Sequence, residues 1–179
     1  MRLFFAIDVP PLPPWVPGGP VTPRAVPEHI TVRFLGDVSG ERLDELRRAG
    51  VEAVEGLAPF PIELAPVGAF PSDRSPRVVY VAASTGAVEL AEVARRLSDA
   101  LSRIGIPPDP RPFVAHVTWR RIRSSRDREL AKTHVTEGRI EPPIASVVRA
   151  LLLKESELAR EGASHRTIGE FPLGSAGSA

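Results

Sequence analysis

Two short segments of this chain each carry a histidine followed, two positions later, by a threonine. The first contains His29 and Thr31, and the second contains His116 and Thr118. In both segments polar residues alternate with apolar ones, which is the pattern of a half-buried β-strand. Because alternate side chains share one face of a strand, the histidine and threonine of each segment should project together. The repetition predicts two equivalent strands that bring two imidazoles and two hydroxyls to one place.

Two imidazoles across a cleft can act as general acid and general base, because the unperturbed pKa of histidine, about 6.5, lies near neutrality. Threonine hydroxyls can donate hydrogen bonds to an anion, and nearby arginines can add charge; the candidates are Arg33, Arg120 and Arg121. This set suits a phosphoester displacement in which water attacks and the two histidines move the protons. The nearest carboxylates in sequence, Glu28 and Asp37, are too few for a metal site, so no metal and no cofactor are expected.

A single His-x-Thr segment would mean little, because such tripeptides arise by chance and a lone histidine on a strand is usually a surface residue. The occurrence of two in strand patterns favours function. His134 and His165 have no such neighbours, and both are predicted to be surface or peripheral residues. Strict alternation also places Arg33 on the face of His29.

Composition narrows the possible classes of protein. The 179 residues are 42% hydrophobic and 25% charged, which is ordinary for a soluble globular chain. The absence of cysteine excludes disulfides and thiol nucleophiles and favours the cytoplasm. No apolar run approaches the roughly 20 residues of a membrane-spanning helix, so no membrane association is expected. Apart from Lys132 and Lys154 the basic residues are arginines, which suit bidentate phosphate contacts, although a net charge of +1 does not itself indicate nucleic-acid binding.

The two segments occupy comparable points in an alternating order of elements. Strands are predicted at 2–9, 29–35, 60–69, 77–83, 113–122, 144–153 and 165–173, and helices at 40–57, 87–104 and 124–138. The proline-rich span 10–27 should be an irregular loop, and 174–179 should fray. The order predicts an α+β fold built from a duplicated, pseudo-twofold unit, with two mainly antiparallel sheets, helices on their outer sides and a central cleft. Residues 1–179 would form one domain of two intimately packed lobes.

The chain resembles the RNA 2′,3′-cyclic phosphodiesterases of the 2H phosphoesterase superfamily, historically called 2′-5′ RNA ligases. The resemblance extends over nearly the full chain and rests on segments 3–8, 29–36, 68–72 and 111–118, followed by Arg121. It implies metal-independent hydrolysis of an RNA 2′,3′-cyclic phosphate to a 2′-phosphate, and it leaves reversible 2′-5′ RNA ligation open.

The resemblance also implies roles for individual residues. His29 would protonate the departing 3′ oxygen, His116 would activate water, and Thr31 and Thr118 would hold the phosphate. Arg121 matches a phosphate-binding arginine of the family. Strict alternation puts Arg121 on the face opposite His116 unless the strand ends or bulges there, so Arg120 is the reserve candidate.

Two features depart from the family pattern. A helix usual between the first strand and the first histidine is replaced by the short span 10–27, and His165 stands where a base-stacking aromatic residue is usual. Two alternatives to RNA hydrolysis stay open: a module that binds nucleotides or RNA ends without hydrolysis, and a phosphodiesterase for small cyclic nucleotides. The next three arginines after the second segment could follow an RNA backbone or form a solvated helix start; they are Arg123, Arg126 and Arg128. The expected partner is RNA or a nucleotide, and the expected state is a cytoplasmic monomer.

Overall fold

Eight strands and three helices make up the part of the chain that the computed structural model describes, residues 1–16, 28–159 and 162–174. The strands are β1 (Arg2–Asp8), β2 (His29–Asp37), β3 (Phe60–Phe70), β4 (Val78–Thr85), β5 (His116–Arg121), β6 (Arg139–Val148), β7 (Ala150–Ala159) and β8 (Gly162–Pro172). The helices are α1 (Leu43–Val54), α2 (Ala87–Arg103) and α3 (Ser125–Glu137), and a 3₁₀ turn, Gly40–Arg42, precedes α1.

The strands are hydrogen-bonded in the order β6-β3-β4-β5-β2-β1-β7-β8, and every pair in this sheet is antiparallel. The predicted α+β fold with antiparallel pairing is therefore confirmed. Hydrogen bonds join all eight strands into one sheet. The finer description, with two sheets and a central cleft, therefore stays a prediction. The segment 174–179 was predicted to fray. Only Gly174 of this segment is among the described residues, and 175–179 lie outside them.

The helices cover one face of the sheet, called here the helix face. α1 packs against α2 and against β7 and β8, α2 also packs on β2, and α3 packs on β3 and β6. Alternate β1 side chains, from Leu3 through Phe5 to Ile7, enter the buried apolar cluster beneath the helices. Phe4 and Ala6 alternate with them, are buried, and lie outside that cluster. They identify the opposite side of the sheet, called here the open face.

The apolar run predicted as one strand at 144–153 is instead divided between two strands. β6 ends at Val148 and pairs with β3, whereas β7 begins at Ala150 and pairs with β1 and β8. The chain changes partner strands at Arg149, whose carbonyl accepts a hydrogen bond from Leu173 N at 2.8 Å. Hydrophobicity continues through this point because both strands are half-buried, so periodicity does not reveal the change of partner.

The prediction that His134 lies at the surface is wrong. It is 6% exposed on α3, and its ring packs on Trp15 and Trp119 with centroids 4.7 and 4.5 Å away. His134 Nε2 is 2.9 Å from the carbonyl oxygen of Trp15, and Trp119 Nε1 donates to Pro13 O. Residues 10–16 are irregular, as predicted, and Trp15 among them packs on α3; 17–27 lie outside the described residues. In the part of the chain that the structure describes, no helix is long and apolar enough to cross a membrane.

Candidate active site

The two His-x-Thr segments meet where β2 and β5 touch. Their strands share the antiparallel pair Ile30–Val117, and both of these side chains are buried on the helix face. Antiparallel register then sets each histidine across from the threonine of the other segment, on the open face. The two imidazoles are diagonal neighbours, a relation in which positions lie on the order of 7–8 Å apart. All four predicted polar groups therefore face one side of a single junction.

Strand β5 contains a β-bulge immediately after its threonine. Thr118 and Arg120 pair with adjacent residues of β4, so Trp119 is one residue more than the partner strand supplies. Such an insertion reverses the alternation beyond it. Arg121 therefore lies on the open face with Thr118, whereas Trp119 and Arg120 face the helices. The packing of Trp119 on Trp15 and His134 fits this arrangement.

The bulge overturns the alternation argument that favoured Arg120 over Arg121. Arg120 Nε donates to Asp127 Oδ1 at 2.9 Å, and this carboxylate of α3 is 4% exposed. Asp127 Oδ2 also accepts from Arg123 N, and Asp127 N donates to the capping hydroxyl of Ser124. Thr118 and both arginines border one depression of about 350 Å³. The two arginines differ in the face of the strand on which they lie and in the buried carboxylate that engages Arg120.

Strand β2 carries the same bulge after its own threonine. Thr31 and Arg33 pair with adjacent residues of β1, which makes Val32 the extra residue. The expectation that Arg33 shares a face with His29 is therefore wrong. A terminal nitrogen of Arg33 donates to the carbonyl of Pro107 in the loop that follows α2. Phe34 takes the open-face position, opposite Phe4.

The environment of His116 fixes its tautomer. Its Nδ1 lies 2.7 Å from the carbonyl oxygen of Val114, which can only accept, so Nδ1 carries the proton and Nε2 is the acceptor of the neutral ring. Phe70 and Tyr80 contact the ring at an angle, with centroids 5.1 and 5.2 Å away. Burial lowers the pKa of His116 below its ordinary value, although the Val114 carbonyl acts in the opposite direction. His116 is therefore suited to accept a proton near neutral pH.

His29 is flanked by aromatic rings as well. Phe4 and His165 contact it at centroid distances of 5.2 and 5.0 Å, and Phe4 and His165 contact each other at 4.9 Å. The prediction that His165 is peripheral is therefore wrong. Burial, followed by the positive charges of His29 and Lys154, lowers the pKa of His165 to about 4 against the opposing effect of Asp8. His165 is a neutral ring at physiological pH.

An ion pair beside His29 was not foreseen from the sequence. Lys154 is 2% exposed, and its Nζ lies 2.7 and 2.8 Å from the two carboxylate oxygens of Asp8. The signal that could have found it is a lysine directly after the apolar run 150–153, in a chain that otherwise uses arginine almost throughout. Among the described residues, no group of three or more His, Asp and Glu could hold a metal ion.

Comparisons with known proteins show the family to which the chain belongs. The family model described as LigT like Phosphoesterase matches residues 16–80 and 81–163. The RNA 2′,3′-cyclic phosphodiesterase of Aeropyrum pernix is 36% identical over 158 residues, which are 83% of this chain and 84% of that protein. The protein of the same name from Archaeoglobus fulgidus is 30% identical over 185 residues, 96% of this chain and 99% of that one.

Solved structures give the same result. The crystal structure of TT0787 of Thermus thermophilus matches with a TM-score of 0.71 at 25% identity, covering 97% of this chain and 98% of that one. E. coli LigT complexed with 3′-AMP matches with a TM-score of 0.69 at 26% identity and the same coverage. Since the family model covers most of the chain and the Archaeoglobus fulgidus relative, 30% identical, matches it over nearly its full length, this protein belongs to the LigT-like phosphoesterases, a family of 2H phosphoesterases.

Proposed function

We propose that this protein hydrolyses 2′,3′-cyclic phosphates at RNA ends to 2′-phosphates by metal-independent, two-histidine acid–base catalysis. The observation that carries the proposal is the junction at Ile30–Val117, whose register sets each imidazole across from the opposite threonine. Relatives named RNA 2′,3′-cyclic phosphodiesterase support the substrate class. RNA ends and nucleotides share the phosphate that such a site would bind.

His116 acts as the general base in this mechanism. Because its Nδ1–H is held by Val114, its Nε2 lone pair is available to take a proton from water as the water oxygen attacks phosphorus. The bond between phosphorus and the 3′ oxygen breaks, and His29 gives its proton to that oxygen. The products are a 2′-phosphate and a 3′-hydroxyl, and solvent then restores both histidines to their starting forms.

The phosphate is held by hydroxyl and guanidinium groups. Thr31 and Thr118 donate hydrogen bonds to the non-bridging oxygens, and Arg121 supplies positive charge from the same face as Thr118. Arg120 is a weaker candidate, because its guanidinium is engaged by Asp127. If an RNA 5′-hydroxyl takes the place of water, the same groups would form a 2′-5′ linkage, and the site would then act as a reversible ligase.

Incubation with a cyclic-phosphate RNA in EDTA tests the reaction. Purified protein and an oligonucleotide ending in a 2′,3′-cyclic phosphate are expected to give a 2′-phosphate, identified by its chromatographic separation from the 3′-phosphate. A 2′,3′-cyclic mononucleotide is the matched small substrate, since E. coli LigT has been crystallised with 3′-AMP. A 3′-phosphate product would contradict the assigned orientation. Hydrolysis of the mononucleotide alone would indicate a small-substrate enzyme, and binding without product would indicate a binding module.

The pH dependence of kcat/KM is expected to be bell-shaped, because one histidine must be neutral and the other protonated. A base with a lowered pKa stays deprotonated to lower pH, so the acid limb should lie below the ordinary histidine value of about 6.5. Initial rates in EDTA between pH 4 and pH 10 measure this. His116→Asn, assayed in parallel for its residual rate, should lack the limb. A wild-type profile that is monotonic from pH 5 to pH 9 contradicts the two-histidine mechanism.

A further inference from the structure

An ion pair lies beside His29 on the open face. Asp8 pairs directly with His29 between β1 and β2, so their side chains lie side by side on the same face, with Cβ atoms about 5 Å apart. Lys154 on β7 reaches both oxygens of the Asp8 carboxylate and is almost wholly buried. Asp8 itself keeps a side-chain exposure of 38%. The carboxylate therefore lies between a fixed, buried ammonium group and the imidazole that the mechanism uses as an acid.

His165 forms a wall of the same pocket. Its ring stands at 73° to that of His29, and within the described residues its Nδ1 is buried without a hydrogen-bond partner. Being neutral, it adds no charge next to His29. Within the described residues, the titratable groups that strand register and ring contacts put around His29 include Asp8 on β1, Lys154 on β7, His165 on β8 and, diagonally across the junction, His116 on β5. Glu28 adjoins it in the chain.

Burying an ammonium group in a sheet has a desolvation penalty, and replacing a buried ion pair by apolar side chains is often neutral or stabilising. The other lysine, Lys132, is exposed and pairs with the exposed Glu129. The site of the buried pair is therefore informative: in the register of the sheet it lies next to a proton donor of the proposed reaction. The pair supplies one negative and one positive charge at different distances from that donor.

We propose that Asp8 and Lys154 are positioning residues for His29: Asp8 stabilises the protonated imidazole, and Lys154 fixes Asp8 in place and balances its charge. The inference rests on the proposed function, in which His29 is the general acid. The two charges act on His29 in opposite directions, because a carboxylate stabilises an imidazolium and an ammonium group opposes it. Removing one charge should therefore have the opposite effect from removing the other.

The alkaline limb of the kcat profile measures the inference, since activity is lost there when the general acid loses its proton. Asp8→Asn should move this limb to lower pH and Lys154→Met should move it to higher pH, each by about one pH unit. The double variant Asp8→Asn/Lys154→Met should return it towards the wild-type position. Lys154→Arg keeps the charge and should leave the limb in place. Lys132→Met is the matched control for loss of a lysine and should leave the whole profile unchanged.

Folding and function are separated by two further measurements. Circular dichroism melting identifies variants that do not fold. Asp8→Asn could be among them because it leaves a buried cation unpaired; in that case the positions of the limb in Lys154→Met and in the double variant test the inference. An NMR titration of the His29 ring, assigned by the loss of its signal in His29→Gln, should show the same opposite displacements without any substrate. Limbs that stay in place, or that move in the same direction in folded variants, overturn the inference. Absence of turnover in the wild type would instead contradict the proposed function.

Discussion

His116→Ala is expected to lower kcat on a cyclic-phosphate RNA by about 10²- to 10⁴-fold, the usual contribution of a positioned acid or base. The imidazole is held by Val114 and by the rings of Phe70 and Tyr80, so water that replaces it would not be oriented in the same way. His29→Ala should cause a loss of the same order, because the 3′ oxygen would then leave without a proton. Single-turnover rates at saturating protein measure both effects apart from substrate binding.

A matched control for loss of a histidine is His134→Ala. This ring lies on α3, on the helix face of the sheet, and packs against Trp15 and against Trp119, whose side chain points away from the open face. Its removal should lower the free energy of unfolding by about 2–5 kcal/mol, the range for large-to-small core substitutions, and leave kcat per folded molecule near that of the wild type. The loss of His134 should therefore appear in the melting assay, and the loss of His116 should appear in the kinetic assay. Unchanged turnover in folded His116→Ala would refute its assignment as the base.

The parts of the fold that were predictable from sequence are those encoded by neighbouring residues. The alternation around His29 and His116 gave both strands, and the serine at 124 and glycine at 138 bound α3 as capping residues do. The helix predicted at 40–57 begins as a 3₁₀ turn, capped by Ser39, that leads into α1. The face on which both histidines and threonines lie also followed from local pattern, because no bulge interrupts either His-x-Thr segment.

What could not be predicted depends on residues distant in the chain. The bulges after Thr31 and Thr118 are defined only against β1 and β4, and a single sequence does not state how many residues the partner strand supplies. The burial of His134 depends on Trp15, more than a hundred positions earlier. Lys154 finds Asp8 because β7 returns to pair with β1. Each of these features involves a long-range partner, and the bulges and the ion pair lie in or beside the candidate site.

The bulge in β5 leads to a second prediction with a large effect. Arg121→Met should lower kcat/KM by about 10- to 100-fold, because a hydrogen bond between a charged group and phosphate contributes about 1.5–3 kcal/mol. Methionine keeps a long unbranched side chain and removes only the guanidinium. No ion pair of Arg121 with another side chain is seen in the described residues, so the melting temperature should stay close to that of the wild type. Arg121→Lys should recover part of the loss, since a point charge replaces the planar fork.

Arg120→Met is the neighbouring control and should show the converse behaviour. It removes one of the donors to a carboxylate that is almost fully buried, but Arg120 is itself 46% exposed, so solvent screening limits the cost to about 1–2 kcal/mol of unfolding free energy. Its kcat/KM should change little, because the bulge turns its side chain towards the helices. A fall in kcat/KM for Arg120→Met but not for Arg121→Met would contradict this prediction. It would mean that Arg120 supplies the phosphate-binding charge, as strict alternation implies. Two adjacent arginines thus test whether one extra residue in a strand decides which guanidinium reaches the substrate.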